Sequence, residues 1–268
     1  MTSTVSSSPD QNRTAVTGWF NVNADDWGRD RYTTDRILEC VRGRSVSSAS
    51  AMVFMEDSER GAALSQQHSV DVGLHLNFTL MFSVANCPAK LKEHLRTVSS
   101  FLSRGALTRA IYNPWLVRSF EYLVATQRDE FARLYGREPL RYDGHHHMHL
   151  SANVMLSELL PAGSIVRRHF SYEPGEKTLR NKAFRWFTDS RLTRRHSVVD
   201  FLYSLPPLAP PDRLSHIFSR GRDAVVELET HPVNPEEHRF LTSGEIFRWA
   251  GDCPIASGFR VRNFHAAA

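Results

Sequence analysis

The chain has 268 residues, 41% hydrophobic and 23% charged. That is ordinary for a globular protein and excludes a largely disordered chain, a collagen-like fibre or a small disulfide scaffold. Thirty-three basic against 29 acidic residues give a formal charge of +4, an excess that permits anionic ligands without calling for nucleic acid. No apolar run in the sequence approaches the ~20 residues of a membrane span.

Residues 1–17 are rich in Ser and Thr and lack the apolar core of a secretory signal. They read as a disordered tail, and the expected location is the cytoplasm. Three cysteines, Cys40, Cys87 and Cys253, lie outside any C-x-x-C pair and fit a reducing compartment.

The first strand is expected at Gly18–Asn23 and runs straight into A-D-D-W-G, residues 24–28. A helix over about 33–43 follows, with Ile37, Leu38 and Val41 on one face. A strand over about 50–55, a helix over about 57–67 and a strand over 71–76 continue the alternation. Strands alternating with helices predict βα units and a mostly parallel sheet. Residues 84–136 read as helical, with one stripe at Leu91, Leu95, Val98 and Leu102 and another from Leu116 to Leu134. A strand at Leu140–Asp143 enters G-H-H-H-M-H, a short helix covers about 152–160, and a strand covers Ser164–Phe170. Residues 171–222 look irregular and hold a basic stretch at about 177–195, either a solvated helix face or a wall for an anionic group. A strand at Ala224–Glu229, a helix at about 242–250 and a strand near 258–264 finish one domain over 18–268.

In parallel α/β folds, function collects at the C-terminal ends of strands. Four expected strands end in polar clusters: Asp25-Asp26, His75-Leu76-Asn77, His145-His146-His147 and His231-Pro232. Adjacent carboxylates at a strand end repel one another, and a cation or an arginine relieves the repulsion. Strand alternation turns consecutive side chains in opposite directions, so one aspartate can hold a metal while the other faces substrate. Gly73 and His75 share a strand face opposite Leu74 and Leu76. The same alternation predicts Asp143, His145 and His147 on one face. His145 is the best ligand of that run, and His147 and His149 are placed behind it or against the substrate. Pro232 fixes the backbone after His231. One Asp and two His make the three-ligand, open pattern of a catalytic metal site.

These residues resemble a known family. N-A-D-D-W-G (23–28), G-L-H-L-N (73–77), D-G-H-H-H-M-H (143–149) and E-L-E-T-H-P (227–232) are similar, in order, to the motifs of the YdjC-like (ChbG/HpnK) carbohydrate deacetylases. The resemblance spans about residues 19–262, with Trp27 at a position usually Phe and Gly144 at a position usually Ser. It implies an α/β fold, a distorted (β/α) barrel of the polysaccharide-deacetylase-like type. It implies hydrolysis of an N-acetyl group on an amino sugar with one divalent metal ion. By motif position, Asp26, His75 and His145 are implied as metal ligands, Asp25 as general base and His231 as general acid. Trp27, Asn77 and His147 are expected to touch substrate, and Arg167 or Arg168 to keep Asp25 ionised.

The mixed Asp/His set suits zinc first, with Mg, Co, Ni or Mn as alternatives. The expected partner is an amino-sugar substrate, with no nucleic acid and no integral membrane segment, and a homodimer is the default oligomer. Two further readings stay open from the residues: a metal-dependent phosphoesterase on the same scaffold, and a non-catalytic carbohydrate-binding protein.

Overall fold

A computed structural model describes residues 16–105, 107–172 and 179–262. Its first strand, β1 (Trp19–Trp27), is longer than the sequence suggested and carries the aspartate pair within it. The helix α1 (Arg31–Arg42) opens on Asp30, whose carboxylate accepts from the Thr33 N–H as a polar N-cap and starts the helix slightly before the expected position 33. Next come β2 (Ser48–Ala51), α2 (Ser58–Gln67) and β3 (Val72–Leu76). The helices α3 (Ala89–Leu102) and α4 (Val117–Tyr135) bury the two stripes read from the sequence. Gly136, at φ 68°, ends α4 in the left-handed conformation that glycine adopts without a Cβ clash.

The strand β4 (Arg141–Gly144) leads through a 3-10 turn at His145–Leu150 to α5 (Ala152–Leu156) and β5 (Ile165–Val166). The expected strand at Ser164–Phe170 is thus only two residues long. The region read as irregular contains α6 (Leu179–Arg195), β6 (Phe201–Ser204) and α7 (Pro211–Arg220). Then come β7 (Val225–Thr230), α8 (Pro235–Thr242) and α9 (Glu245–Ala250). The strand expected near 258–264 is absent over 258–262, where Asn21 instead bonds to the Arg260 backbone through both its amide oxygen and nitrogen. Residues 263–264, residues 177–178 of the basic stretch and residues 1–15 of the expected tail lie outside the described residues. Thr17 is not tail: its N–H donates to the Arg222 carbonyl at 2.9 Å.

All strand pairs are parallel, in the order β5-β4-β3-β2-β1-β7-β6. The sheet is curled into a distorted half-barrel. Arg167, just past one edge strand, reaches Glu227 and Glu229 on β7 near the other edge. The edges are stitched irregularly, with Val166 N–H donating to Ser197 O and Ser171 N–H to Leu202 O.

The two faces of this sheet differ in kind. Phe20, Val22, Leu74, Leu76, Tyr142, Val226 and Leu228 point outward into the apolar layer under the helices. The inner face carries Asn23, Ser50, His75, Arg141, Asp143 and Glu227, each at most 5% exposed. Gly73 leaves room for this filling, since a Cβ there would stand 2.8 Å from the Arg141 guanidinium carbon. Buried charge costs several kcal/mol per ion unless paired, and here it is paired. Arg141 donates to Asn23 and Ser50, and Ser50 donates to Asp143.

Candidate metal centre

The C-terminal ends of β1, β3, β4 and β7 converge on one pocket, as the strand-end rule anticipates. Register makes the convergence specific. His75 pairs with Asp143 across β3 and β4, and Asn23 pairs with Glu229 across β1 and β7. A register shift between Ala24 and Trp27 marks a bulge at the end of β1. Within it Asp26 takes φ 71°, a left-handed conformation that a non-glycine residue holds at a cost. The bulge corrects the alternation argument. Asp25 and Asp26 do not face opposite ways but turn into the same pocket, and His75 lies between them.

Asp26, His75 and His145 each aim one atom at a common point, those atoms lying within 4.8 Å of one another. His75 Nε2 is 3.5 Å from Asp26 Oδ1, and His145 Nδ1 is 3.2 Å from the same oxygen. Both Asp26 Oδ1 and His75 Nε2 are buried and lack a hydrogen-bond partner. The remaining atoms of these residues are occupied. Asp26 Oδ2 accepts from Arg29 at 2.6 Å, and His75 Nδ1 is held by Asp143 at 2.8 Å. Unpartnered buried polar atoms normally cost ~1–3 kcal/mol each. A borderline divalent cation would satisfy both, so the donor set fits one.

The charge balance argues the same way. Burial alone would raise the Asp26 carboxyl, but His145, His75 and Arg29 outweigh it and hold it well below the usual carboxylate range. Burial alone would lower the His75 imidazole, yet Asp25, Asp143 and Asp26 push it up to about 9. The three carboxylates around it thus favour a protonated His75.

Beside this cluster stands a closed one. Arg167 is 2% exposed and grips Asp25 through two bonds, Nη1–Oδ2 at 2.6 Å and Nη2–Oδ1 at 2.7 Å. It also bonds Glu227 at 2.7 Å and Glu229 at 3.0 Å, and lies 3.3 Å from Asp143. Desolvation opposes its charge, but Asp143, Asp25, Glu227 and Glu229 together raise its pKa well above the ordinary value. Glu227 has the opposite fate, since burial outweighs Arg167 and pushes its carboxyl up to about 7. Arg168, the alternative to Arg167, points away to Asp189 and the Asp200 carbonyl.

His231 stands across the pocket, 35% exposed, its Nε2 4.0 Å from Asp25 Oδ2. Its backbone N–H donates to the buried Glu237 carboxylate at 2.8 Å. His147 bonds Glu229 at 3.1 Å and meets Phe170 edge-on, with ring centroids 4.5 Å apart. The expectation that Asp143, His145 and His147 share a strand face fails after Gly144. His146 and His147 both take left-handed backbone angles, φ 55° and 57°, so His147 reaches Glu229 from a turn. Gly144 suits that turn, because a Cβ there would lie 3.0 Å from Leu76 O and 3.1 Å from His149. His149 is fully buried and bonds the Arg167 carbonyl at 2.9 Å.

Two expected substrate contacts are not met. Trp27 is fully buried, its indole N–H donating to Gly61 O, so it supports the floor instead of lining the pocket. Asn77 spends its side chain on its own loop, accepting from Thr79 and Leu80 N–H and donating to Leu80 O. Sequence reasoning also missed Asn23, Arg29, Glu227, Glu229 and Glu237. The alternation V-E-L-E in β7 was the available signal for the two inward glutamates.

Comparison with known proteins agrees with this architecture. A family model described as YdjC-like protein matches residues 20–248. Chitooligosaccharide deacetylases of Salmonella paratyphi B (strain ATCC BAA-1250 / SPB7) and Salmonella newport (strain SL254) are each 30% identical over 134 residues, covering 50% of this chain and 51% of theirs. The chain thus matches about half the length of these curated relatives. A crystal structure of a candidate cellobiose-phosphate cleavage protein from Enterococcus faecalis V583 superposes with a TM-score of 0.63. It is 16% identical and covers 88% of this chain and 96% of that one, which shows a shared fold. With the family model running through all four strand-end clusters, the chain belongs to the YdjC-like family.

Proposed function

We propose that this protein hydrolyses the N-acetyl group of an amino sugar with the help of one divalent metal ion, releasing acetate. The observation that carries the reading is the pair of buried, unpartnered atoms Asp26 Oδ1 and His75 Nε2, converging with His145. The chitooligosaccharide deacetylases among its relatives support N-acetylglucosamine-containing substrates.

Asp26, His75 and His145 hold the ion, zinc by preference for a mixed carboxylate and imidazole set. Bound there, it supplies Lewis acidity at the acetamide carbonyl and a lowered pKa for water. Asp25 accepts the proton of the attacking water. The fork of Arg167 fixes the orientation of the Asp25 carboxylate. His231, across the pocket and partly open to solvent, hands a proton to the departing nitrogen. Glu229 and Phe170 fix the His147 ring at the pocket wall, where it orients the sugar. Three buried free cysteines support a reducing, cytoplasmic setting.

Acetate release from a panel of N-acetylglucosamine-containing oligosaccharides and glycosides tests the reading. The protein is stripped of metal and resupplied with single ions. Metal-dependent release that falls by about 10²–10⁴ in Asp25→Asn, with metal content unchanged, is expected for loss of a general base. Release from none of the panel, despite metal uptake, would remove this function.

A further inference from the structure

The catalytic reading leaves unexplained a surface that is at once apolar and cationic. Among the described residues the most exposed large hydrophobics are Trp115 at 88%, Leu107 at 77% and Trp186 at 72%, and their chain neighbours Phe187 and Ile111 are each more than half exposed. Single exposed apolar residues need no explanation, but a cluster does. These side chains come from two elements that meet. Ala110, next to Ile111, lines one shallow cleft together with Leu156 and Phe187.

The charge on this surface is mostly basic, with Glu158 at its edge paired to Arg191 and Arg195. Between Glu93 and Glu121 the sequence has no acidic residue, while Arg96, Arg104, Arg109 and Arg118 fall in the same stretch. Arg104, Arg109 and Arg118 are exposed, interleaved with Leu107, Ile111 and Trp115. On α6, exposed Arg194 follows Trp186 and Phe187 by two turns. Tryptophan and aliphatic side chains beside arginine are the composition of a face lying in the headgroup region of a bilayer. No helix among the described residues is long and apolar enough to cross a membrane.

The patch borders the pocket. Arg109 is near enough to His169 to act on its charge, and His169 adjoins Phe170, which packs against His147.

We propose that this face docks the protein onto an anionic lipid surface. Leu107, Ile111, Trp115, Trp186 and Phe187 enter the headgroup layer while the arginines pair with lipid phosphates. The inference stands on exposure and charge and does not depend on the deacetylase reading. Docking would give the pocket access to amino sugars presented at a membrane.

The test is sedimentation of the full chain with vesicles of phosphatidylcholine alone and of phosphatidylcholine mixed with phosphatidylglycerol. The metal-loaded protein is expected to sediment with the anionic vesicles, and its tryptophan emission to shift to the blue. Leu107→Ser with Trp115→Ser should weaken binding by roughly tenfold. Arg109→Gln should weaken it by about fivefold, the worth of one arginine near an anionic surface. Both variants change exposed side chains, so an unchanged melting temperature verifies their folding. Absence of binding to anionic vesicles overturns the proposal, as does binding that the variants leave unaltered. Self-association that the same variants abolish, without vesicle binding, assigns the face to a second copy and overturns it too.

Discussion

Two buried clusters share the mouth of the barrel, and they treat polar atoms in opposite ways. Around Arg167 the guanidinium meets Asp25, Asp143, Glu227 and Glu229, and every nitrogen has a carboxylate. Around Asp26 the ring and carboxylate atoms that face the pocket are left without partners. Asp25 belongs to the first cluster and Asp26 to the second, although they are adjacent in the chain. The difference teaches where each residue's work lies. The cluster whose guanidinium is fully paired holds geometry, although Glu227 Oε2 within it lacks a partner, and the convergent unpaired atoms of Asp26 and His75 mark where a ligand can supply what the protein withholds.

That contrast can be broken most forcefully from the saturated side. Arg167→Met leaves four carboxylates facing one another in a buried site. Removing one partner of a buried ion pair costs about 3–5 kcal/mol. Urea unfolding of the metal-free protein should report a loss of that order. A loss under 1 kcal/mol would mean the cluster is not what holds this end of the barrel.

The unsaturated side should respond in the reverse sense. His145 is only partly buried and donates to no saturated network. His145→Ala should therefore change the stability of the metal-free protein by no more than about 1 kcal/mol. It should still weaken metal binding by at least ~100-fold, beyond the usual effect of losing a supporting hydrogen bond. Equilibrium dialysis alongside thermal melting separates the two quantities.

A smaller effect sharpens the comparison at the rim. Burial pushes the Glu237 carboxyl up to about 7, despite the hydrogen bond from the His231 N–H. An unfolded glutamate titrates near 4.3. The folded chain therefore binds the proton more tightly, and Glu237 lowers stability as pH rises from that value through 7. Glu237→Gln keeps an acceptor for the His231 N–H and removes the charge. The variant should gain about 1–2 kcal/mol over the parent at pH 8 and almost nothing at pH 4.5. Equal gains at both pH values would dissociate the effect from titration.

Much of this was legible in the sequence. The hydrophobic stripes of α3 and α4 and the alternation of β3 are patterns of period 3.6 and 2, and both survive folding. So did the strand-end rule, which placed Asp25, Asp26, His75, His145 and His231 in one region before any geometry was known. Legibility ended where the backbone leaves regular angles. The positive φ of Asp26 turns both aspartates into the pocket, and those of His146 and His147 end the alternation after Gly144. Neither leaves a mark that periodicity can register.

The strand β6, F-L-Y-S, is strand-like, but the prolines at 206, 207, 210 and 211 just after it give the neighbourhood the signals of a loop. The helix α8 did have a signal, an Asn234 cap followed by Pro235 and two glutamates. The choice between Arg167 and Arg168 needed the register of a two-residue strand, which no pattern fixes. Trp27 is the instructive error. Its position beside two functional aspartates suggested substrate contact, while the bulge sends it under the pocket to Gly61.

The most direct test of the account is a calorimetric titration of the metal-stripped protein with zinc, run in buffers of different ionisation enthalpy. Ligands must be deprotonated to bind metal, and His75 holds its proton up to about 9 in the absence of an ion. The account predicts one ion per chain, bound with proton release at pH 7, and no such binding in Asp26→Asn. Saturation without zinc uptake, or uptake that survives Asp26→Asn, would contradict it.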